Sequence, residues 1–397
     1  MFDSSLKKIG ILITFLFIAF GAIIGTIAFG KGKKSTSEVA TQVYEKSLSP
    51  LKEVLTSQEK KCPSGFIRVP GDKTYNTTDF CVMKYDAKCA NVSDLSHGLQ
   101  PEHGTACSGE SGGNFYGTYK NSGPGCACVD SKQVVSTQSG FPLAYIPEKD
   151  ASDTNAKKYC EHLGWHLITN PEWMTIARNV EKVSDNWCKQ NGTECGFAPG
   201  SPHTILANGH NDGNNEASAS ASENGALIAA DDLQPCFGTT TDGSNTCGGK
   251  GSQKRTLTLT NKEVIWDLAG NVWSWIDIDV PRKDQPQSLS NGVLDQGWIW
   301  SEFAPGGKET VITGNGSGAE LGYDSFRPSS PSWNSTNGVG RIYHYSAKND
   351  TDTTIYTSIR GGTWQHGYDS GAFSVHLSPK ADHPNINDVG LRCVAPL

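Results

Sequence analysis

The sequence predicts a loop-rich, disulfide-stabilised α+β domain carried behind an N-terminal transmembrane helix. Three observations lead there. All twelve cysteines lie beyond residue 61, an even number that reads as up to six disulfides formed in an oxidising compartment. Residues 9–30 contain no charge; as a helix at ~1.5 Å per residue they reach about 33 Å, enough for the hydrocarbon core. The 44 glycines of the 397-residue chain leave room for many turns and few long regular elements.

Residues 1–8 then form a short cytoplasmic end, 9–30 an uncleaved signal anchor, 31–60 a stalk and 61–397 the globular domain. A cleaved signal peptide would have an apolar region of about 7–15 residues and a small-x-small cleavage site, which Phe29-Gly30-Lys31 is not. Lysines flank the span almost evenly. The cysteines therefore set the orientation of this single-pass cell-membrane protein, with the C-terminal domain extracellular. In the stalk, Val39, Val43, Tyr44, Leu48, Leu51 and Leu55 are spaced for a short amphipathic helix, interrupted at Pro50. The net charge of −7 argues against a nucleic-acid partner, whose phosphates require an excess of Lys and Arg.

Within the domain, residues 62–70 and 80–86 read as two short strands around a turn. Residues 152–163 read as a helix with Ser152 as N-cap and Gly164 as the stop. Residues 170–178 read as a second helix, with Asn170 capping, Pro171 in the first turn and Glu172 at the positive end. The stretch 165–169 is a connector. Residues 263–276 set three tryptophans around the turn Gly270-Asn271, and these read as core. Residues 359–364 read as a strand beginning with a glycine pair, and 389–394 as a last strand.

Ala156-x-x-Tyr159-Cys160, Leu163-Gly164, Glu172-Trp173, Ala177-Arg178, Gly270-Asn-Val-Trp-Ser-Trp275, Arg360-Gly-Gly-Thr-Trp364 and Gly390-Leu-Arg-Cys393 occur in that order. The set resembles the formylglycine-generating-enzyme (sulfatase-modifying-factor) branch of the C-type lectin fold, over roughly residues 62–397. Within that branch, Phe80-Cys-Val-Met-Lys-Tyr85, His166-Leu-Ile-Thr-Asn-Pro-Glu-Trp173 and Glu263-Val-Ile-Trp266 resemble the variable proteins of diversity-generating retroelements. There a reverse transcriptase copies a template repeat with errors at adenines, and the copy replaces the 3′ end of the gene. The resemblance implies two helices on a small twisted sheet, a disulfide between Cys160 and Cys393, and a surface-displayed ligand binder varied over about residues 360–393. Its partner would be a protein or glycan outside the cell. The alternative is a fixed carbohydrate-binding lectin or adhesin of the same fold. Cys188 with Cys195, and Cys236 with Cys247, suggest local bridges.

The enzymatic relatives hold copper between two cysteines placed second and seventh after the Trp of the Arg-Gly-Gly motif. Here those places are His366 and Gly371. Without a thiolate there is no soft ligand for Cu(I), so the chain reads as a non-enzyme with no required cofactor. The family's calcium positions correspond to Asp267, Gly270 and Val272, with Ser274 where relatives have Glu. One carboxylate is a thin shell for an ion that takes about 6–8 oxygens, and Ca2+ stands as an optional ligand.

In Ala372-Phe-Ser-Val-His-Leu377, period two sends Phe373, Val375 and Leu377 inward and Ala372, Ser374 and His376 to solvent. Outward replacements would cost within about ±0.5 kcal/mol. Trp364 and Cys393 bracket the segment from inside. With the variable region that the resemblance implies, the candidate ligand-binding face is Gln365, His366, Tyr368, Asp369, Ala372, Ser374, His376, Ser378, Asp382, His383, Asn385 and Asn387. Error in the first two bases of an Asn codon reaches most of these residue types, though not Gln365. Tyr368 would be the best anchor. His366, His376 and His383 would titrate near their ordinary pKa of ~6.5.

Overall fold

Thr169 rather than Asn170 starts the longer helix. Its hydroxyl accepts from the Glu172 N–H, and the Glu172 carboxylate accepts from the Thr169 N–H at 2.9 Å, so each side chain satisfies an orphan donor of the other. The helix runs Asn170–Glu181 (α2) with Pro171 in its first turn. The shorter helix, Ala156–His162 (α1), is capped by Asn155, not Ser152; the Asn155 carboxamide oxygen accepts from the Lys158 N–H at 2.9 Å.

The computed structural model describes residues 61–91, 94–98, 134–138, 142–144, 146–151, 153, 155–190, 194–211, 253–305, 310–314, 325–363, 366–382 and 388–397. Residues 61–397 make one compact unit. The predicted span 9–30, the stalk helix and Cys236 and Cys247 lie outside the described residues. Among those described, no helix is long and apolar enough to cross a membrane.

Two sheets organise the unit. We number their strands along the chain as β1 (Phe66–Val69), β2 (Phe80–Met83), β3 (His166–Leu167), β4 (Trp273–Pro281), β5 (Gly297–Ser301), β6 (Ile342–Ser346), β7 (Ile355–Gly361), β8 (Gly371–His376), β9 (Val389–Gly390) and β10 (Cys393–Pro396). The four-stranded sheet has the order β1-β2-β10-β3, and the six-stranded sheet β5-β6-β8-β7-β4-β9. The connector 165–169 thus supplies a strand, the glycine pair ends β7 instead of beginning it, and the predicted last strand is split between the two sheets.

Each face of the six-stranded sheet carries a core. On one face Ile276, Ile342, Phe373 and Val375 pack with Trp173, Met174, Ile176 and Val180 of α2, each contributing about 1.5–3 kcal/mol by leaving water. The Trp173 indole N–H donates to the Ala372 carbonyl at 2.8 Å, which pins α2 to β8. On the other face Trp273, Trp275 and Ile359 pack with Tyr159 and Cys160 of α1 and with Leu391 and Cys393. Cys160 and Cys393 are disulfide-bonded, with Cα atoms 5.4 Å apart; Cys62–Cys81 and Cys188–Cys195 are also bonded. The result is a mixed, strand-rich, disulfide-stabilised α+β domain.

Candidate ligand-binding face

β5 reads Gly-Trp-Ile-Trp-Ser and β6 reads Ile-Tyr-His-Tyr-Ser. Both alternate, so the rings of each strand share one side. The register then pairs Trp298 with Tyr345, Trp300 with Tyr343, and Tyr343 with His376 of β8. Residues directly opposite on paired strands face the same way. Pairing therefore gathers rings from three strands into one patch, continuous with the second core through Trp300. His344, between the two tyrosines, points the other way; it is wholly buried and bonded to Ser301 at 2.7 Å and to the Pro286 carbonyl at 2.8 Å.

The rings touch in sequence. Tyr343 stacks on His376 with centroids 4.4 Å apart, and Trp298 lies near-parallel to Tyr343 at 5.9 Å. Trp300 is 5.2 Å from Tyr343 and 5.7 Å from His376. Trp298 also meets Tyr345 at 5.4 Å and Tyr356 at 5.2 Å. Tyr343–His376 and Trp298–Tyr343 lie near-parallel, whereas Trp298 meets Tyr345 and Tyr356, and Trp300 meets His376, edge to face. Trp173, Trp187 and Trp275 bury their indole N–H groups on carbonyls at 2.8–2.9 Å. The indole N–H groups of Trp298 and Trp300, and the hydroxyls of Tyr343, Tyr345 and Tyr356, have no hydrogen-bond partner among the described residues. All five side chains are half-buried.

A guanidinium closes each end of this shelf. Arg282 sits 4.3 Å over the Tyr345 ring, held by Asp350 at 2.9 Å and Asp352 at 2.8 Å. Arg341 lies 5.8 Å over Trp300 and 5.5 Å over Tyr368, held by Asp369 at 2.9 Å with Glu302 at 3.6 Å. Beside Tyr345 and Arg282 is a polar cleft of about 60 Å3, room for little more than a water or two.

The twelve candidate residues separate into three sets. Gln365, His383, Asn385 and Asn387, like Trp364, lie outside the described residues. His366, Tyr368, His376 and Ser378 are half-buried on or beside the shelf, and Asp382 is exposed. Asp369, Ala372 and Ser374 are interior, at 5 %, 0 % and 0 % exposure, which takes Asp369 off the exposed face and corrects the alternation reading at Ala372 and Ser374. β8 is a central strand flanked by β6 and β7, and both of its faces are covered, so period two does not sort its residues into wet and dry. Gly340, at φ +85°, makes the cover fit: a Cβ there would sit 2.8 Å from the Ser374 Cβ. Ser374 in turn bonds the Arg341 carbonyl at 3.4 Å.

The histidines are corrected as well. Burial holds His366 down at about 4 and His376 at about 3, so both are neutral across the physiological range. The Ser378 N–H points at His376 Nδ1 at 3.4 Å; a backbone N–H only donates, which leaves the ring proton on Nε2. His366 Nδ1 meets the Thr363 hydroxyl at 2.8 Å.

The calcium positions do not fit the ion. Both Asp267 oxygens take Arg255, from Nε at 2.6 Å and Nη2 at 2.7 Å. Nearby, Arg392 bonds Asp86 at 2.5 Å, and Lys88 is buried beside the same two carboxylates. A dication would enter a cluster already holding three cations. Val272 is buried, as is Ser274. Gly270 serves the turn: its φ is +72° and a Cβ would approach the His210 carbonyl to 2.3 Å. No group of three or more His, Cys, Asp or Glu among the described residues is placed to hold a metal.

Trp298, Trp300, Tyr343, Tyr345 and Tyr356 were not among the residues singled out from the sequence. The signal was the ring-x-ring alternation at 298–300 and 343–345, which becomes a site only through strand pairing. The chain matches no protein-family model and no curated protein.

Proposed function

We propose that the chain is a membrane-anchored, surface-displayed ligand-binding protein of receptor or adhesin type, without catalytic activity, whose C-terminal surface residues are diversified by a retroelement. The observation that carries the binding reading is the shelf of five half-buried rings whose polar groups have no hydrogen-bond partner among the described residues. Rigid rings with a polar end supply contact area at low entropic cost and dominate binding hot spots. His366, Tyr368, His376, Ser378 and Asp382 form the adjoining rim; Gln365, His383, Asn385 and Asn387 stay in the proposed diversified set, and the interior Asp369, Ala372 and Ser374 leave it. The non-enzyme reading rests on His366 and Gly371 standing where the copper cysteines of the resembled enzymes would be.

A glycan or protein array probed with the full chain tests the binding reading. Trp298→Ala and Tyr343→Ala should each weaken capture at least tenfold, and undiminished capture would place the site elsewhere. External protease should remove residues 61–397 from intact cells, and alkaline carbonate should leave the anchor in the membrane fraction. The second reading, a fixed lectin or adhesin, has an observation in its favour: the shelf rings come from residues 298–356, before the proposed variable region. Sequencing the locus in sibling cells separates the two, because diversification requires substitutions clustered at the rim codons.

A further inference from the structure

Glu148 lies on a strap, residues 146–149, that joins three parts of the domain. Its carboxylate is wholly buried, and neither oxygen has a hydrogen-bond partner among the described residues. The nearest cation is Lys157 Nζ on α1, 3.6 Å away, which is already committed to Asp277 of β4 at 2.6 Å. The other charged groups facing Glu148 are Lys149 on the strap and Asp279 on β4, bonded to each other at 2.5 Å.

The strap is tied on every side. The Pro147 and Glu148 carbonyls accept from the Ala156 and Lys157 N–H groups of α1 at 3.0 and 3.1 Å. The Ile146 carbonyl accepts from the Trp275 indole at 2.9 Å. The Lys149 N–H donates to the Ala381 carbonyl at 3.1 Å. That last bond reaches the segment carrying Ser378 and Asp382, two residues of the rim.

We propose that Glu148 is a proton-operated latch on the strap, shut when its carboxyl is neutral and loosened when it ionises. A neutral carboxyl costs far less in the interior than an anion without a hydrogen-bonded partner. On losing its proton Glu148 either draws the Lys157 ammonium away from Asp277 or admits water. Both events disturb the first turn of α1 and the Lys149–Ala381 tie. Burial raises Glu148 to about 7, so the change falls in the neutral range, with the rim segment held firmly below it and less firmly above.

Hydrogen exchange on the full chain in detergent micelles tests this without any ligand. Protection factors, corrected for the intrinsic pH dependence of exchange, are measured for peptides covering 146–158 and 377–382 in a pH series that runs from below to above the neutral range. The wild type should lose at least tenfold protection toward its upper end, since each unit above the midpoint increases the ionised-to-protonated ratio tenfold. Glu148→Gln, an isostere of the protonated acid, should fold and show no such loss. Lys157→Met removes the competing cation and should move the midpoint upward. A pH-flat wild type, or a loss that persists in Glu148→Gln, overturns the latch; an unmoved midpoint in Lys157→Met overturns the part assigned to Lys157.

Discussion

Replacing Asp369 by Ala separates a surface position from a buried ion pair. Asp369 is 5 % exposed and its Arg341 partner also 5 %, with 2.9 Å between Oδ1 and Nη1. Removing one member of a buried pair costs about 3–5 kcal/mol, because the other charge remains without its counter-ion. Glu302 stays 3.6 Å from the guanidinium and offsets part of that. Glu302 is itself held by the Ser335 N–H at 2.8 Å and the Ser335 hydroxyl at 2.5 Å, so it is not free to close in. The lower end, about 3 kcal/mol, is the expected loss. For a domain of this size each kcal/mol shifts Tm by roughly 2 °C, giving a fall near 6 °C. Urea unfolding of the disulfide-intact protein should show the same loss as a lowered midpoint with unchanged slope. Asp382→Ala, at an exposed position, is the control and should stay within about 0.5 kcal/mol. If Asp369→Ala matched that control in both assays, the buried pair would be refuted and Asp369 would return to the tolerant surface.

Ser374→Tyr overfills the space under Gly340 and should cost about 1–3 kcal/mol or more, so natural variants should carry only small residues at 374. Removing the Cys160–Cys393 bridge frees a separation of 233 residues; the chain-entropy model sets the loss at no more than about 5.5 kcal/mol, and non-reducing peptide mapping should find the two cysteines linked. Burial lowers His344 to about 4. Its folded pKa lies below its unfolded value of ~6.5, so its neutral form stabilises the fold fully above that value, and roughly 3 kcal/mol is lost as pH falls from 6.5 through 4; equilibrium unfolding at pH 7 and pH 4 should show the drop shrink in His344→Gln. His366 and His376 should show no imidazole titration by NMR between pH 5 and pH 8, where ordinary histidines would.

What the sequence determined by itself was local. The start of α2 is written in Thr169, Pro171 and Glu172, because capping is a contract between residues three apart, although the sequence reading set the cap one residue late, at Asn170. The hairpin of β1 and β2 joins segments close along the chain. The cysteine distribution pointed to disulfides before any pairing was visible, and the Cys160–Cys393 link came with the resemblance. The tertiary structure decided the rest. Alternation in Ala372–Leu377 predicts a wet and a dry face only for a strand with one face solvated; β8 was placed between β6 and β7 with both faces covered, and Ala372 and Ser374 went inside. The alternating rings of 297–301 and 342–346 carry no signal of binding on their own, since aromatic residues are as common in cores. They became a shelf because β5, β6 and β8, which are far apart in sequence, paired in a register that set Trp300, Tyr343 and His376 side by side, and register is a property of the folded sheet and not of any one strand.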